Sequence, residues 1–94
     1  MIIRLYTYEV LVEKQSEYLK ATAETIKPFW ESHGCQSYNV WQAAEGGTSF
    51  IKPMFFEDMA ALEKAMALPE AKLIVDIFKS FAINSSSKVY IQKV

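Results

Sequence analysis

The only histidine of the chain, His33, ends an apolar helical stripe and is the side chain best suited to move a proton. The stripe directs it toward the predicted sheet, where it would act as a general base or anchor a ligand. The alternative is a helix-end residue that hydrogen-bonds the last carbonyl groups of its helix. Asn39 would orient a carbonyl group or a developing enolate. We therefore predict His33 and Asn39 as candidate catalytic residues.

Large rings and one cation supply the candidate substrate-binding residues. Trp41 shares a strand face with Asn39, which suits a planar ligand, and Trp30 lies on the apolar helical stripe. Arg4 shares a strand face with Tyr6, which suits the anchoring of a carboxylate or an enolate. Core packing of the tryptophans, and an ion pair or cation–π contact of Arg4 at an interface, are the structural alternatives. The predicted binding set is Trp30, Trp41, Arg4 and Tyr6.

No nucleophile motif, metal-ligand spacing or phosphate-binding loop stands out, so we predict neither a metal nor another cofactor. Cys35 is the only cysteine, which excludes an internal disulfide and predicts a buried, unreactive thiol. A lone cysteine also fits a reducing compartment and hence a cytoplasmic location.

The 94 residues predict one small domain, residues 1–94, whose core is marginal unless the chain oligomerises. The net charge is −1 and the basic residues are scattered, which argues against a nucleic-acid partner. No run approaches the roughly 20 apolar residues of a membrane helix. Because 51% of its residues are hydrophobic, we expect part of the apolar surface of the chain to contact a partner subunit.

The hydrophobic periodicities follow the order βαββαβ, which predicts an α+β, ferredoxin-like protomer with an antiparallel four-stranded sheet. Residues 2–11 alternate with both faces apolar, so the first strand needs cover on both sides. One helical layer covers only one side of a sheet. A second copy of the chain is the simplest cover for the other side, and the sequence predicts a homodimer.

A helical stripe spans residues 13–33, and Pro28 predicts a kink or a restart of this helix near Lys27. Residues 35–43 and 48–55 read as strands joined by a Gly46-Gly47 hairpin turn. Pro53 cannot donate a ladder hydrogen bond, so an irregular or unpaired position is expected there.

The second half of the chain predicts two helices and a final strand. One helix carries Met59, Leu62 and Met66 and ends at Pro69. Pro69 can also open a further helix, whose apolar stripe spans residues 73–81. Residues 84–87 read as a linker before a last strand over residues 88–94.

Several short motifs resemble one protein group. They are the strand IIRLYTY at residues 2–8, ESHG at residues 31–34 and FFEDMAAL at residues 55–62. The chain is similar to the dimeric α/β-barrel superfamily, nearest to NIPSNAP-like proteins and antibiotic-biosynthesis-monooxygenase-like domains. The resemblance implies two ferredoxin-like protomers with sheets face to face, and a ligand pocket between sheet and helices.

Members of these groups oxidise aromatic polyketides without metal or flavin, degrade haem, or isomerise or dechlorinate small rings. Monooxygenase-like members commonly carry a histidine near the position of Ala65, and alanine neither ligates iron nor moves a proton. We therefore expect a small-molecule-binding barrel protein, with oxygenase or isomerase action on an aromatic or apolar metabolite as its candidate activity. A non-catalytic dimeric module is the alternative, and haem binding through His33 is the third.

Overall fold

The computed structural model describes all 94 residues, and its centre is strand β1 (Ile2–Glu9). The other strands are β2 (Ser37–Tyr38), β3 (Trp41–Gln42), β4 (Ser49–Phe56) and β5 (Ile83–Ile91). They lie in the order β2-β4-β1-β5, β3 also pairs with β4, and every pairing is antiparallel. The predicted α+β, ferredoxin-like architecture is confirmed.

The helices are α1 (Gln15–Ala21), α2 (Lys27–Glu31), α3 (Met59–Met66) and α4 (Ala71–Phe81). A 3₁₀ turn, Val12–Lys14, precedes α1, and a π-helical turn, Thr22–Ile26, joins α1 to α2. The amide of Lys27 donates to the carbonyl of Thr22, five residues back. Pro28 follows this π-helical turn and lies in the first turn of α2. The backbone stays helical through Ile26 and Lys27, so the predicted irregularity near Lys27 takes the form of a π-helical turn and not of a restart.

The prediction of one continuous strand over residues 35–43 is wrong, because only two short strands, β2 and β3, form in this range. The interruption covers Asn39 and Val40, which lie opposite the Pro53 region of β4. The amide of Asn39 donates to the carbonyl of Pro53 at 3.4 Å, and proline has no amide to return a bond. Pro53 therefore lies at an incompletely paired position, as predicted. The turn after β3 places Gly46 and Gly47 at φ angles of 83° and 87°.

The predicted linker over residues 84–87 is wrong, since these residues belong to β5. The hydroxyl groups of Ser86 and Thr7 are 2.9 Å apart, and Asn84 donates to the Glu9 carboxylate at 2.8 Å. Pairing with β1 thus satisfies polar side chains that are typical of a loop. The strand ends at Ile91, so residues 92–94 do not continue it as predicted.

Alternation along β1 and β4 separates two faces of the sheet. Even-numbered residues such as Tyr8, Phe50 and Phe56 are buried beneath the helices. Odd-numbered residues face the other side, where the chain supplies no second layer. We call this side the open face, formed chiefly by Ile3, Leu5, Trp41, Ile51 and Phe55. No helix of the structure has the length and apolar character needed to cross a membrane.

Candidate binding cavity

A cavity of about 390 Å³ lies between the helix-facing side of the sheet and the helices. Its volume falls in the range of small-molecule pockets. Every layer of the protomer contributes to its wall, which is formed by Arg4, Tyr6, Trp30, Lys52, Met54, Met66, Ile74, Val75, Phe78, Lys79 and Ser85.

Lys52 is the most unusual residue of this wall. It is only 3% exposed, and strand alternation places it between the buried Phe50 and Met54 on the helix-facing side of β4. Its Nζ lies 3.5 Å from the ring centroid of Phe78 and 4.0 Å from that of Tyr6. Lys52 takes part in none of the three ion pairs of the structure. A buried ammonium group therefore has aromatic faces, and no carboxylate, as its neighbours.

Burial, with the positive charge of Arg4 as a smaller cause, lowers the pKa of Lys52 to about 7. Desolvation disfavours the charged form of an amine, and a like charge nearby adds to that effect. A substantial fraction of the Lys52 side chains is therefore uncharged near neutral pH. Burial raises the pKa of Tyr6, whose hydroxyl group stays protonated under the same conditions.

Arg4 supplies the second cation of the cavity. Its Cζ lies 5.1 Å from the Tyr6 ring centroid, and one terminal nitrogen donates to the Ser87 hydroxyl at 3.4 Å. The Nε of Arg4 is buried without a hydrogen-bond partner in the protein. Lys79 adds an exposed third cation, whereas no acidic side chain lines the cavity. The site is therefore aromatic, positively charged and equipped with an unused donor.

Residues 1–76 match the family described as antibiotic biosynthesis monooxygenase. The chain belongs to this family. No curated protein sequence matches it significantly.

Solved structures similar to this family member carry the same fold at low sequence identity. A conserved protein from Methanosarcina mazei Go1 is 20% identical with a TM-score of 0.79, covering 99% of this chain and 94% of its own. SnoaB, a cofactor-independent oxygenase from Streptomyces nogalater, is 12% identical with a TM-score of 0.83, covering 99% and 94%. A NIPSNAP domain protein from Burkholderia xenovorans is 16% identical with a TM-score of 0.74, covering 99% and 95%.

Three of the six predicted site residues meet in the cavity of this monooxygenase-family protein. Arg4 and Tyr6 reach it from β1, and the buried Trp30 reaches it from α2. Lys52 was missed by the sequence reasoning. The sequence did carry a signal for it. In the alternating strand predicted over residues 48–55, Lys52 shares a face with Phe50 and Met54, so its amine is directed into the core.

His33 lies outside this cavity, in the exposed turn that follows α2. Its Nδ1 is 2.8 Å from the carbonyl oxygen of Phe29, so the imidazole donates to its own helix. This is the contact expected if His33 is a helix-end residue that hydrogen-bonds the last carbonyl groups of its helix. The ring borders a separate groove with Lys64 and Ala65, where a ligand bound by His33 would lie.

Asn39 and Trp41 lie on the open face, on the side of the sheet away from the cavity. Asn39 donates to the Ser37 hydroxyl at 2.7 Å, and Trp41 is 59% exposed. The predicted six residues therefore do not form one site. The phase of a strand relative to distant helices decides which face its residues join, and periodicity alone does not fix that phase.

Cys35 is buried and donates to the carbonyl of Ser37 at 3.3 Å, and burial raises the pKa of its thiol. These contacts fit the predicted unreactive thiol. No group of three or more histidine, cysteine or acidic side chains is arranged to hold a metal ion.

Proposed function

We propose that residues 1–94 form one domain that binds a small, planar, anionic molecule in the cavity and oxidises it with dioxygen. The observation that carries the proposal is an aromatic cavity with three basic side chains, Arg4, Lys52 and Lys79, and no acidic one. An enolate, a phenolate or a carboxylate is stabilised by such a site. Membership of the monooxygenase family, and the fold shared with SnoaB, support the oxygenase part.

The uncharged amine of Lys52 would take a proton from an acidic C–H or O–H group of the substrate. The resulting ammonium group and Arg4 would then hold the carbanion or enolate next to the rings of Tyr6 and Trp30. For a substrate of the anthrone type, oxygen adds at the deprotonated carbon and the hydroperoxide loses water. The net change is CH₂ plus O₂ to C=O plus H₂O, so dioxygen is the only oxidant required.

Binding is tested by isothermal titration calorimetry with 1-hydroxy-2-naphthoate, a planar probe with one carboxylate. Arg4→Gln should weaken binding by about tenfold or more, the effect of losing a charge-assisted hydrogen bond. Lys20→Gln removes an equal charge from the exposed surface of α1 and should leave affinity unchanged. Equal losses in both variants would show that only net charge attracts the probe.

Oxygenation is tested with 1,8-dihydroxyanthrone in an oxygen electrode, after subtraction of its spontaneous oxidation. Lys52→Met should lower the protein-dependent rate by about 100-fold or more, the usual contribution of a general base. His33→Ala should retain the rate, because His33 lies outside the cavity. If the protein binds naphthoate but causes no oxygen uptake, the oxygenase proposal is wrong and the protein is a non-catalytic binding module. Loss of activity in His33→Ala alone would move the reaction to the groove beside Lys64.

We propose further that two copies pair through the open face and that the protein works in the cytoplasm. Trp41 and Ile51 are 59% and 43% exposed there, an apolar exposure that a partner sheet would remove. Light scattering at micromolar concentration should give twice the 10.8 kDa chain mass. Ile51→Lys should yield monomers, whereas Leu73→Lys, at an equally apolar exposed site on α4, should not. A wild-type monomer would remove the dimer from the proposal.

A further inference from the structure

We propose that Lys52 is a nucleophilic amine that condenses with the carbonyl group of a small oxo acid bound in the cavity. This inference rests on the proposed binding role of the cavity, but it does not depend on oxygenation. It adds covalent capture of a carbonyl compound to the proton transfer described above.

The surroundings of Lys52 suit a nucleophile better than a structural cation. An amine attacks only through its free electron pair, and a lysine gains this form in an apolar pocket or beside another cation. Both conditions hold, since Lys52 is 3% exposed and Arg4 shares its face of the sheet. The groups that face it are Tyr6 and Arg4 from β1, Tyr38 from β2 and Phe78 from α4. None of them is a carboxylate that would keep the amine charged.

Arg4 defines the other end of the ligand. Its buried Nε has no partner in the protein, and a carboxylate oxygen would satisfy it. Arg4 and Lys52 both lie against the ring of Tyr6, so one small molecule can reach both side chains. A ligand with a carboxylate near a ketone or aldehyde meets both groups, and the apolar wall around Trp30 and Met54 suits an aromatic or aliphatic remainder.

The step balances without an external oxidant or reductant. The Lys52 nitrogen attacks the carbonyl carbon, a C–N bond forms, and the C–O bond then breaks. The oxygen leaves as water with the two hydrogens of the amine, which leaves a C=N bond. Once protonated, this imine draws electrons from the neighbouring carbon, whose C–H or C–carboxylate bond is weakened.

The test is reductive trapping. Wild-type protein is incubated at pH 7 with phenylpyruvate and sodium cyanoborohydride, which delivers hydride to the imine carbon and leaves a stable secondary amine. Intact mass spectrometry should show one adduct per chain, and peptide mapping should place it on Lys52. Lysines outside the cavity have neither its apolar surroundings nor a neighbouring buried cation, and they should label at least tenfold more slowly.

Variants separate site labelling from surface labelling. Lys52→Met should lose the adduct, whereas Lys20→Met, which removes an exposed lysine of α1 outside the cavity, should retain it. Arg4→Gln should slow trapping of phenylpyruvate more than trapping of phenylacetaldehyde, which lacks the carboxylate and is slowed only because the Arg4 charge beside the amine is lost. Mapping on the wild-type chain decides the question even if Lys52→Met does not fold. Adducts spread over exposed lysines, or no adduct at all, would overturn the inference.

The outcome is also independent of the binding and oxygenation tests. Naphthoate binding with no trapped phenylpyruvate would leave the proposed function in place and remove the imine. Trapping on Lys52 without oxygen uptake would keep the imine and remove the oxygenase activity.

Discussion

Replacing Lys52 by methionine should change how the stability of the protein depends on pH. In the folded chain the pKa of Lys52 is lowered from 10.5 to about 7 by burial, with the charge of Arg4 as a smaller cause. In the unfolded chain the lysine is solvated and returns to its ordinary value. Between these two values the unfolded chain binds more protons, so the free energy of unfolding rises with pH. Below about pH 7 both states are protonated, and the cost of burying the charge is constant.

The size of the effect follows from the two pKa values. Each unit of difference is worth about 1.4 kcal/mol, so Lys52 should add about 3 kcal/mol to the free energy of unfolding between pH 7 and pH 9.5. The Lys52→Met variant lacks this rise. Methionine is close to lysine in length and fills the space among Tyr6 and Phe78 with apolar atoms. The variant should therefore be more stable than the wild type at pH 7, with the difference shrinking toward pH 9.5.

The assay is urea denaturation of both proteins at half-unit steps of pH, followed by far-ultraviolet circular dichroism. The series ends at pH 9.5, and subtracting the variant from the wild type cancels the titrations that both chains share. Lys14→Met, in the exposed 3₁₀ turn before α1 and away from the sheet, is the matched control and should parallel the wild type. Parallel curves for wild type and Lys52→Met would refute the reasoning, because Lys52 would then be solvated or paired in the folded protein.

Further changes at four positions test the packing around the sheet by urea denaturation. Tyr8→Phe removes a buried hydroxyl that is bonded to Tyr18 and should cost about 1–2 kcal/mol, whereas Tyr38→Phe removes a buried hydroxyl without a partner and should be neutral or slightly stabilising. Equal losses in the two variants would contradict the hydrogen-bond assignment. Asp58→Ala removes the side chain that caps α3 and should cost about 1 kcal/mol, with Asp58→Ser retaining most of the stability. Gly47→Ala should cost about 1–2 kcal/mol because its φ of 87° is strained for a side chain, although no atom blocks the new methyl group, and an unchanged midpoint would show that the turn adapts.

The element order could be predicted because each helix and strand has its own periodicity and its own stop signal. Pro28 marked the irregularity of the first long helix near Lys27, and Gly46-Gly47 marked the hairpin. The serine-rich segment over residues 84–87 misled the prediction, because its strand is held by an edge pairing with β1 rather than by its own propensity. Such a pairing depends on a partner more than 70 residues away.

The site was half predicted for a similar reason. Arg4 and Tyr6 were correctly placed on one face of the first strand, and that face proved to be the one beneath the helices. Asn39 and Trp41 were correctly placed together on a strand face, but that face is the open one. Periodicity predicts which residues share a face, whereas long-range register decides which layer covers it.

Lys52 connects stability to function in this fold. A small domain has a marginal core, and a leucine or methionine at the Lys52 position would fill the space among the rings without a desolvation cost. The chain instead buries an amine there, with Arg4 beside it and no acidic side chain along the cavity wall. Two cations that destabilise each other gain stability when an anion lies between them. By linkage, a carboxylate ligand should then raise the pKa of Lys52 and flatten the pH dependence described above. Saturating 1-hydroxy-2-naphthoate should therefore stabilise the wild type more at pH 7 than at pH 9.5, and a stabilisation that does not vary with pH would place the ligand away from Lys52.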